Sequence, residues 1–296
     1  MRTRTVRILR TAQRERRLLL DDGTHVWDLT DFLERQGQPT GLADLFESGW
    51  FDDSGLEARL PQGPEDARWH RVDEGDLQVG LPIARAEVGK ILALGKNFRA
   101  HAEEFGEEVP QDPLFFNKLP ETLVASDSLV TIPAWVTGRV DHEVELAVII
   151  GLGGRDIAIE DAAEHVAAYT VANDLTARGL QGEDRERRHP WFRSKNLDGF
   201  CPLGPCLVPR DFLDVTNLRL TCHVNGELRQ DASTADLVVD VPHAIAHLSR
   251  HLTLNPGDLI LMGTPAGVGP LADGDLVTCA IEGIGELSTR IRRESA

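Results

Sequence analysis

Residues 140–151 read VDHEVELAVIIG, and both the fold and the chemistry of the chain turn on that stretch. From Val144 onward the run is almost wholly apolar, the pattern of a buried β-strand. Its opening is different. Asp141, Glu143 and Glu145 occupy every second position, and a strand alternates faces with period two, so all three should project from one side. Like charges so aligned repel one another and raise their own pKa values unless something cationic stands among them. A hard divalent cation is one solution. Oxygen-only ligation suits Mg²⁺, Mn²⁺ or Ca²⁺, whereas zinc usually recruits His or Cys. An exposed strand start, with its acids facing water or paired to distant arginines, reads the same at this level.

Composition excludes several classes. The 296-residue chain has 31 Lys+Arg against 48 Asp+Glu, a formal net charge of -17. Such a field repels phosphate backbones and no long basic block offsets it, so a nucleic-acid partner is not expected. Cys201, Cys206, Cys222 and Cys279 form no Cys-x-x-Cys pair, and four thiols in a chain this long suit a reducing compartment. No apolar run approaches the roughly 18 residues that a membrane span needs. The first twenty residues are Arg-rich with one acid, Glu15, a faint transit-peptide composition. Against that, Thr5 to Thr11 alternates like a strand, and LLLDDGTHVWDL (18–29) reads as a hairpin around Asp22-Gly23. The segment is therefore expected to be folded, and the protein cytoplasmic.

Two units are expected, a small N-terminal domain over 1–80 and a larger domain over 81–296. In the first, the hairpin leads into LTDFLERQG (29–37), a short helix with Leu29, Phe32 and Leu33 apolar. PQGPEDARWHRVDEGD (61–76), polar and broken by Pro and Gly, reads as a linker. Beyond it, short β-rich runs dominate: 91–94, 146–150, 218–224, 259–262 and 276–281. Two helices are expected among them. IEDAAEHVAAYT (159–170) has acids in its first turn, which suits the helix dipole. VPHAIAHLSRHLTL (241–254) carries Ile245, Leu248 and Leu252 at helical spacing. Strands outnumber helices and no regular βαβ rhythm is present, so the class is α+β, mostly β.

A second acid extends the opening pattern. In TVANDLTARGLQ (170–181) an apolar run ends in Asp174, with Arg178 and Gln181 four and seven residues on. That spacing would place the three on one face of a helical turn, where they could hold a metal and an anionic, oxygen-rich substrate. A surface i,i+4 ion pair has the same spacing. The motifs ILALGKNFRAHAEE, PLFFNKLP, DHEVELAVIIG, YTVANDLTARGLQ, WFRSKNLDGFCPLGP, VNGELRQ and GDLILMGTPAGVG follow in this order. Together, over about 88–290, they closely resemble the fumarylacetoacetate hydrolase superfamily, especially its domain-containing proteins and bacterial acylpyruvate hydrolases. The N-terminal unit is similar to the variable small domain that precedes this core in many members.

That resemblance implies a β-sandwich roll, usually a homodimer, with Mg²⁺ or Mn²⁺ (Ca²⁺ as a further candidate) in a cleft. The metal ligands it implies are Glu143, Glu145 and Asp174, with Asp141 behind them. Lys195 in RSKNLDGF would stabilise negative charge on a substrate carbonyl oxygen. Arg178, Gln181, Thr264 and, at the border of the cleft, Lys118 would bind substrate. His101 and Glu104, three residues apart and so on one face of a short helix, match a water-activating dyad on a mobile lid. The implied substrate is a small 2-oxo or β-diketo acid whose carbon–carbon bond is hydrolysed. The same scaffold also supports isomerases, hydratases and oxaloacetate decarboxylases, and a non-catalytic dicarboxylate-binding member is the remaining alternative.

Two features depart from the family pattern. Asn97-Phe98 stands where Asn-Tyr is common, and QGEDRERRHPWF (181–192) is basic where a substrate-facing loop should lie. Arg185, Arg187, Arg188 or His189 could there meet a second carboxylate, though a solvated charge run reads alike. His243, His247 and His251 form one helical stripe without a His-Glu-x-x-His pattern, and a polar helix face accounts for them. The Gly-rich GTPAGVG lacks the Gly-Lys-Ser/Thr ending of a phosphate loop.

Overall fold

The structure, a computed structural model, describes residues 6–12, 17–51, 58–63, 65–72 and 77–295. Thr5 of the first expected strand and residues 64 and 73–76 of the expected linker lie outside these. Three N-terminal strands, β1 (Arg7–Arg10), β2 (Leu18–Asp21) and β3 (Val26–Asp28), precede helices α1 (Leu29–Arg35) and α2 (Leu42–Glu47). Next come β4 (Ile91–Gly95), α3 (Arg99–Glu104), β5 (Leu114–Lys118), β6 (Leu123–Val124) and β7 (Ser128–Ile132). The central part is β8 (Val140–Asp141), β9 (Val144–Ile150), β10 (Val166–Asn173), β11 (Thr176–Ala177) and α4 (Arg178–Glu186). The chain closes with β12 (Cys201–Pro209), β13 (Arg219–Val224), β14 (Glu227–Ser233), α5 (Val241–His251), β15 (Leu259–Leu261), β16 (Leu276–Ile281) and β17 (Gly285–Arg293).

One large sheet runs β3-β2-β1-β12-β10-β9-β15-β4-β5, with β6 beside β12, and a second runs β14-β13-β16-β17-β7. β9 lies near the middle of the first and is buried at every position. Its even-numbered side chains, Val144, Leu146, Val148 and Ile150, join the core shared with the second sheet. Its odd-numbered Ala147 and Ile149 join the core under the N-terminal helices. A strand buried on both faces needs the near-continuous Val/Ile/Leu run found here. The N-terminal strands continue the same sheet, since Ile8 of β1 pairs with Leu207 of β12. Asp22 closes the turn of the expected hairpin by accepting from the Thr24 and His25 amides, both at 2.9 Å.

The chain is mostly β, as its texture predicts, but 159–170 is not a helix. Only a short 3-10 turn forms at Ala162–His165, and the chain then enters β10, buried at all eight positions. Val, Tyr and Thr in VAAYTVAN suit a central strand between β9 and β12, so tertiary pairing overrides the helix-favouring alanines. The second expected helix forms as α5, with Asp240 accepting from the His243 amide at its N-cap. No helix among the described residues is long and apolar enough to cross a membrane.

Candidate functional site

The acids that open β9 end up inside the protein. Glu143 is 3% and Glu145 2% exposed, and Asp174, in the bend that follows β10, is fully buried. Antiparallel pairing of Glu145 with Ala172 brings the end of β10 alongside the start of β9, and the Asp174 amide donates to the Glu143 carbonyl at 2.8 Å. One carboxylate oxygen from each of Glu143, Glu145 and Asp174 then lies within 4.8 Å of the others. Asp174 does not share a helical turn with Arg178 and Gln181 as expected. Helix α4 begins only at Arg178, so sheet geometry, not helical spacing, brings the acid to the cluster.

Cations surround this triad. Lys195 donates to Glu143 Oε2 at 2.8 Å and to Asp174 Oδ2 at 2.5 Å. Lys118 Nζ lies 2.7 Å from Asp174 Oδ1 and donates to the Lys195 carbonyl. Arg178 donates to Gln181 Oε1 at 2.9 Å, to Asp141 Oδ2 at 2.8 Å, and to Glu143 Oε1. Burial pushes the Glu143 carboxyl up, but Lys195, Arg178 and His101 more than offset this and hold it well below the usual carboxylate range. Glu145 goes the other way: burial, with Asp174 and Glu143 beside it, drives its carboxyl well above that range. Its Oε2 accepts from the Gly263 amide at 2.6 Å. The donor set is all oxygen, converging and short of positive charge at Glu145, which fits a hard divalent cation.

Asp141 takes another partner. It is completely buried, and Arg139 grips it with Nε at 2.5 Å and Nη2 at 2.7 Å. The reading of the opening strand missed Arg139 and its role as a counterion. The signal was available, since 139, 141, 143 and 145 share one alternation.

A cavity of about 270 Å³ collects most of the candidates: His101, Glu143, Glu145, Asp174, Arg178, Gln181, Lys195 and Thr264 all line it. Lys118 and Glu104 stand just behind this lining. His101 and Glu104 share α3, with Nδ1 3.3 Å from Glu104 Oε2. Glu104 Oε1 accepts from the Gly267 amide at 3.1 Å, which ties α3 to the GTPAGVG loop. Phe105, at the end of α3, lies under the Arg178 guanidinium at 5.0 Å. Of the basic segment, Arg185 reaches the cavity wall, where it pairs with Glu107, while Arg187, Arg188 and His189 are exposed. Phe98 is buried as the N-cap of α3, and Asn97 bridges the Val239 and Met262 carbonyls at 2.9 and 2.8 Å.

A larger groove of about 860 Å³ adjoins across Leu94, Gly95 and Lys96, with His243 and His247 in its wall. None of the three clustered acids reaches it. Among the described residues the acidic triad alone groups three metal-ligating side chains. In the histidine stripe, His247 and His251 instead pack on each other, with their rings 4.9 Å apart, and on Phe115, while His243 pairs with Asp240.

With the sheet order and this cluster in place, comparison with known proteins is direct. Residues 90–292 match the fumarylacetoacetate (FAA) hydrolase C-terminal family. The chain belongs to the fumarylacetoacetate hydrolase family. The oxaloacetate tautomerase YisK of Bacillus subtilis is 42% identical over 73% of this chain and 73% of its own. The mitochondrial oxaloacetate decarboxylase of Dictyostelium discoideum is 41% identical over 66% of this chain and 89% of its own. Maleylpyruvate hydrolase from Sphingobium sp. SYK-6, solved with manganese(II) and pyruvate, superposes with a TM-score of 0.78 at 30% identity, covering 98% of this chain and 100% of that one.

Proposed function

We propose that this protein is a divalent-metal-dependent hydrolase that cleaves a carbon–carbon bond in a 2-oxo or β-diketo acid of acylpyruvate or fumarylpyruvate type. One observation carries the reading: a buried acidic triad and a buried lysine share a cavity with His101, which pairs with Glu104. Glu143, Glu145 and Asp174 would hold Mg²⁺ or Mn²⁺. When bound, the ion would supply Lewis-acid polarisation of substrate oxygens. Arg178, Gln181 and Thr264 bind and orient the acid's oxygens. Lys195, kept charged by Asp174 and Glu143 despite its burial, stabilises negative charge that grows on the carbonyl oxygen. His101 takes a proton from water while Glu104 orients and stabilises the imidazolium. The hydroxide equivalent adds to the distal carbonyl carbon, the carbon–carbon bond breaks, and its electron pair leaves as an enolate. Protonation of that enolate carbon yields pyruvate or its homologue beside the second acid. Phe105 and the rest of α3 close over the site and exclude bulk water.

A second reading, tautomerisation or decarboxylation of oxaloacetate on the same residues, is supported by two relatives at 41% and 42% identity with those activities in their names. In both readings residues 81–296 form the catalytic domain, 1–80 is an accessory unit, and the assembly is a homodimer. Turnover of acetylpyruvate, fumarylpyruvate and oxaloacetate, with Mg²⁺ or Mn²⁺ and with EDTA, separates them. NMR detection of pyruvate plus a second acid, abolished by EDTA, supports the hydrolase. Enol–keto exchange or CO₂ release from oxaloacetate alone supports the second reading.

A further inference from the structure

Gln230 is completely buried on β14 and lines neither the triad's cavity nor the groove beside it, yet its amide joins the opening strand to the substrate loop. Its Oε1 accepts from the Val144 amide at 3.2 Å, between the acids Glu143 and Glu145. Its Nε2 donates to Thr264 Oγ1 and to the Pro265 carbonyl, both at 2.8 Å. This leaves no freedom in the orientation of the amide. A backbone N–H can only donate and a carbonyl oxygen can only accept, so a flipped amide would lose both partners. His142 Nδ1, 3.0 Å from Oε1, must likewise be the donor there.

The consequence falls on Thr264. Both Gln230 amide protons are committed, one of them to Thr264 Oγ1, so the hydroxyl is an acceptor on that side. Among the described residues no protein acceptor takes the hydroxyl's own proton, and Thr264 lines the cavity that holds the triad. The loop that carries Thr264 is also pressed onto β14. At Gly267, φ is +99° and a Cβ would stand 2.0 Å from the Arg229 carbonyl oxygen, so the spacing between Gln230 and Thr264 is set by backbone contact.

We propose that Gln230 is a positioning residue: it holds the Thr264 hydroxyl as an acceptor and so directs its proton into the cleft, toward the carboxylate of the bound acid. The inference rests on the reading of the cleft as a 2-oxo acid site and adds a residue that acts on substrate only through Thr264. It predicts a loss of ligand affinity that is not a loss of metal affinity. A hydrogen bond to a charged group accounts for roughly ten- to a hundredfold in binding.

The test is calorimetric titration of Mn²⁺, and then of pyruvate in saturating Mn²⁺, into the full-length wild type, Thr264→Val, Gln230→Met, Gln230→Glu and the Gln230→Met/Thr264→Val double variant. Circular dichroism checks the fold of each. In Gln230→Met the donor is gone, and in Gln230→Glu the oxygen facing Thr264 accepts and turns the hydroxyl proton away from the cleft. Both should bind pyruvate about tenfold or more weakly with Mn²⁺ affinity unchanged. The double variant should be no weaker than Thr264→Val alone. Additive losses in the double variant would overturn the proposal. So would a parallel loss of Mn²⁺ affinity, undiminished pyruvate binding, or failure of both Gln230 variants to fold, which would make the residue a purely structural link. A wild type that binds Mn²⁺ but no pyruvate would instead overturn the functional reading, and this proposal with it.

Discussion

Arg178 and Asp141 form a buried ion pair, with Arg178 Nε 2.8 Å from Asp141 Oδ2, and through it the first acid of the opening strand orients the cation that grips the second. The same guanidinium donates to Glu143. Asp141 therefore acts one step behind the cluster. Asp141→Ala would leave Arg178, which still holds Glu143, and the half-exposed Arg139 without their shared anion, and losing one partner of such charged hydrogen bonds costs about 1–3 kcal/mol. Urea unfolding of this variant should show a loss on that scale, and Asp141→Asn a smaller one. A variant as stable as the wild type would remove Asp141 from any structural role.

Glu145 should behave in the opposite sense. Its charge is opposed by burial, Asp174 and Glu143, whereas a glutamine amide keeps an oxygen for the Gly263 N–H and sheds the repulsion. In EDTA, Glu145→Gln is expected to melt no lower than the wild type. Its Mn²⁺ affinity should fall by more than about 100-fold, beyond the usual effect of residues one step outside a metal. Thermal unfolding with EDTA and a Mn²⁺ titration check the two halves separately. Unchanged Mn²⁺ affinity would refute the ligand assignment.

His101→Ala and Glu104→Gln address the chemistry. If the dyad activates water, hydrolysis of an acylpyruvate should fall about 10²- to 10⁴-fold, the usual range for a general base, with Mn²⁺ affinity unaltered. Decarboxylation of oxaloacetate needs no activated water and should fall far less. Steady-state rates on the two substrates decide the point, and equal losses on both would argue against a water-activating role.

Alkaline pH should weaken the fold. Burial pushes the Tyr169 hydroxyl up to about 12 and the Cys206 thiol up to about 12, against unfolded values of about 10 and about 8.5. Both are acids with raised folded pKa values, so their contribution is complete below the unfolded values. It is lost as pH rises through the folded ones. Unfolding free energy should decline from about pH 8.5 upward, and Tyr169→Phe should flatten the portion above about pH 10. A stability profile that is flat to pH 12, or the same in both proteins, would contradict this.

Local pattern carried much of the structure. The apolar run after Val144 reads as a buried strand, and β9 is that strand, buried on both faces. Period-two alternation placed Glu143 and Glu145 on one side, and three-residue spacing placed His101 beside Glu104 on a short helix. Each is a relation within a few residues, where backbone geometry is the same whatever surrounds it. Where the reading failed, it failed on context. Residues 166–173 have alanines that a helix would accept, and only their place between β9 and β12 makes them a strand. Asp174 seemed to belong with Arg178 by spacing, but the strand ends one turn before the helix begins.

By itself, then, the sequence determined the family, the strand that bears the acids and the identity of the clustered groups, because composition, order and periodicity are properties of the chain. The tertiary structure decided which cation meets which anion. Lys195 on Glu143 and Asp174, Arg139 on Asp141, and Gln230 between Val144 and Thr264 are contacts between residues 2 to 86 positions apart. Except for Arg139, no local spacing announces them. They exist because burying several charges together is tolerable only where each finds its partner, and the folded sheets alone bring those partners within reach.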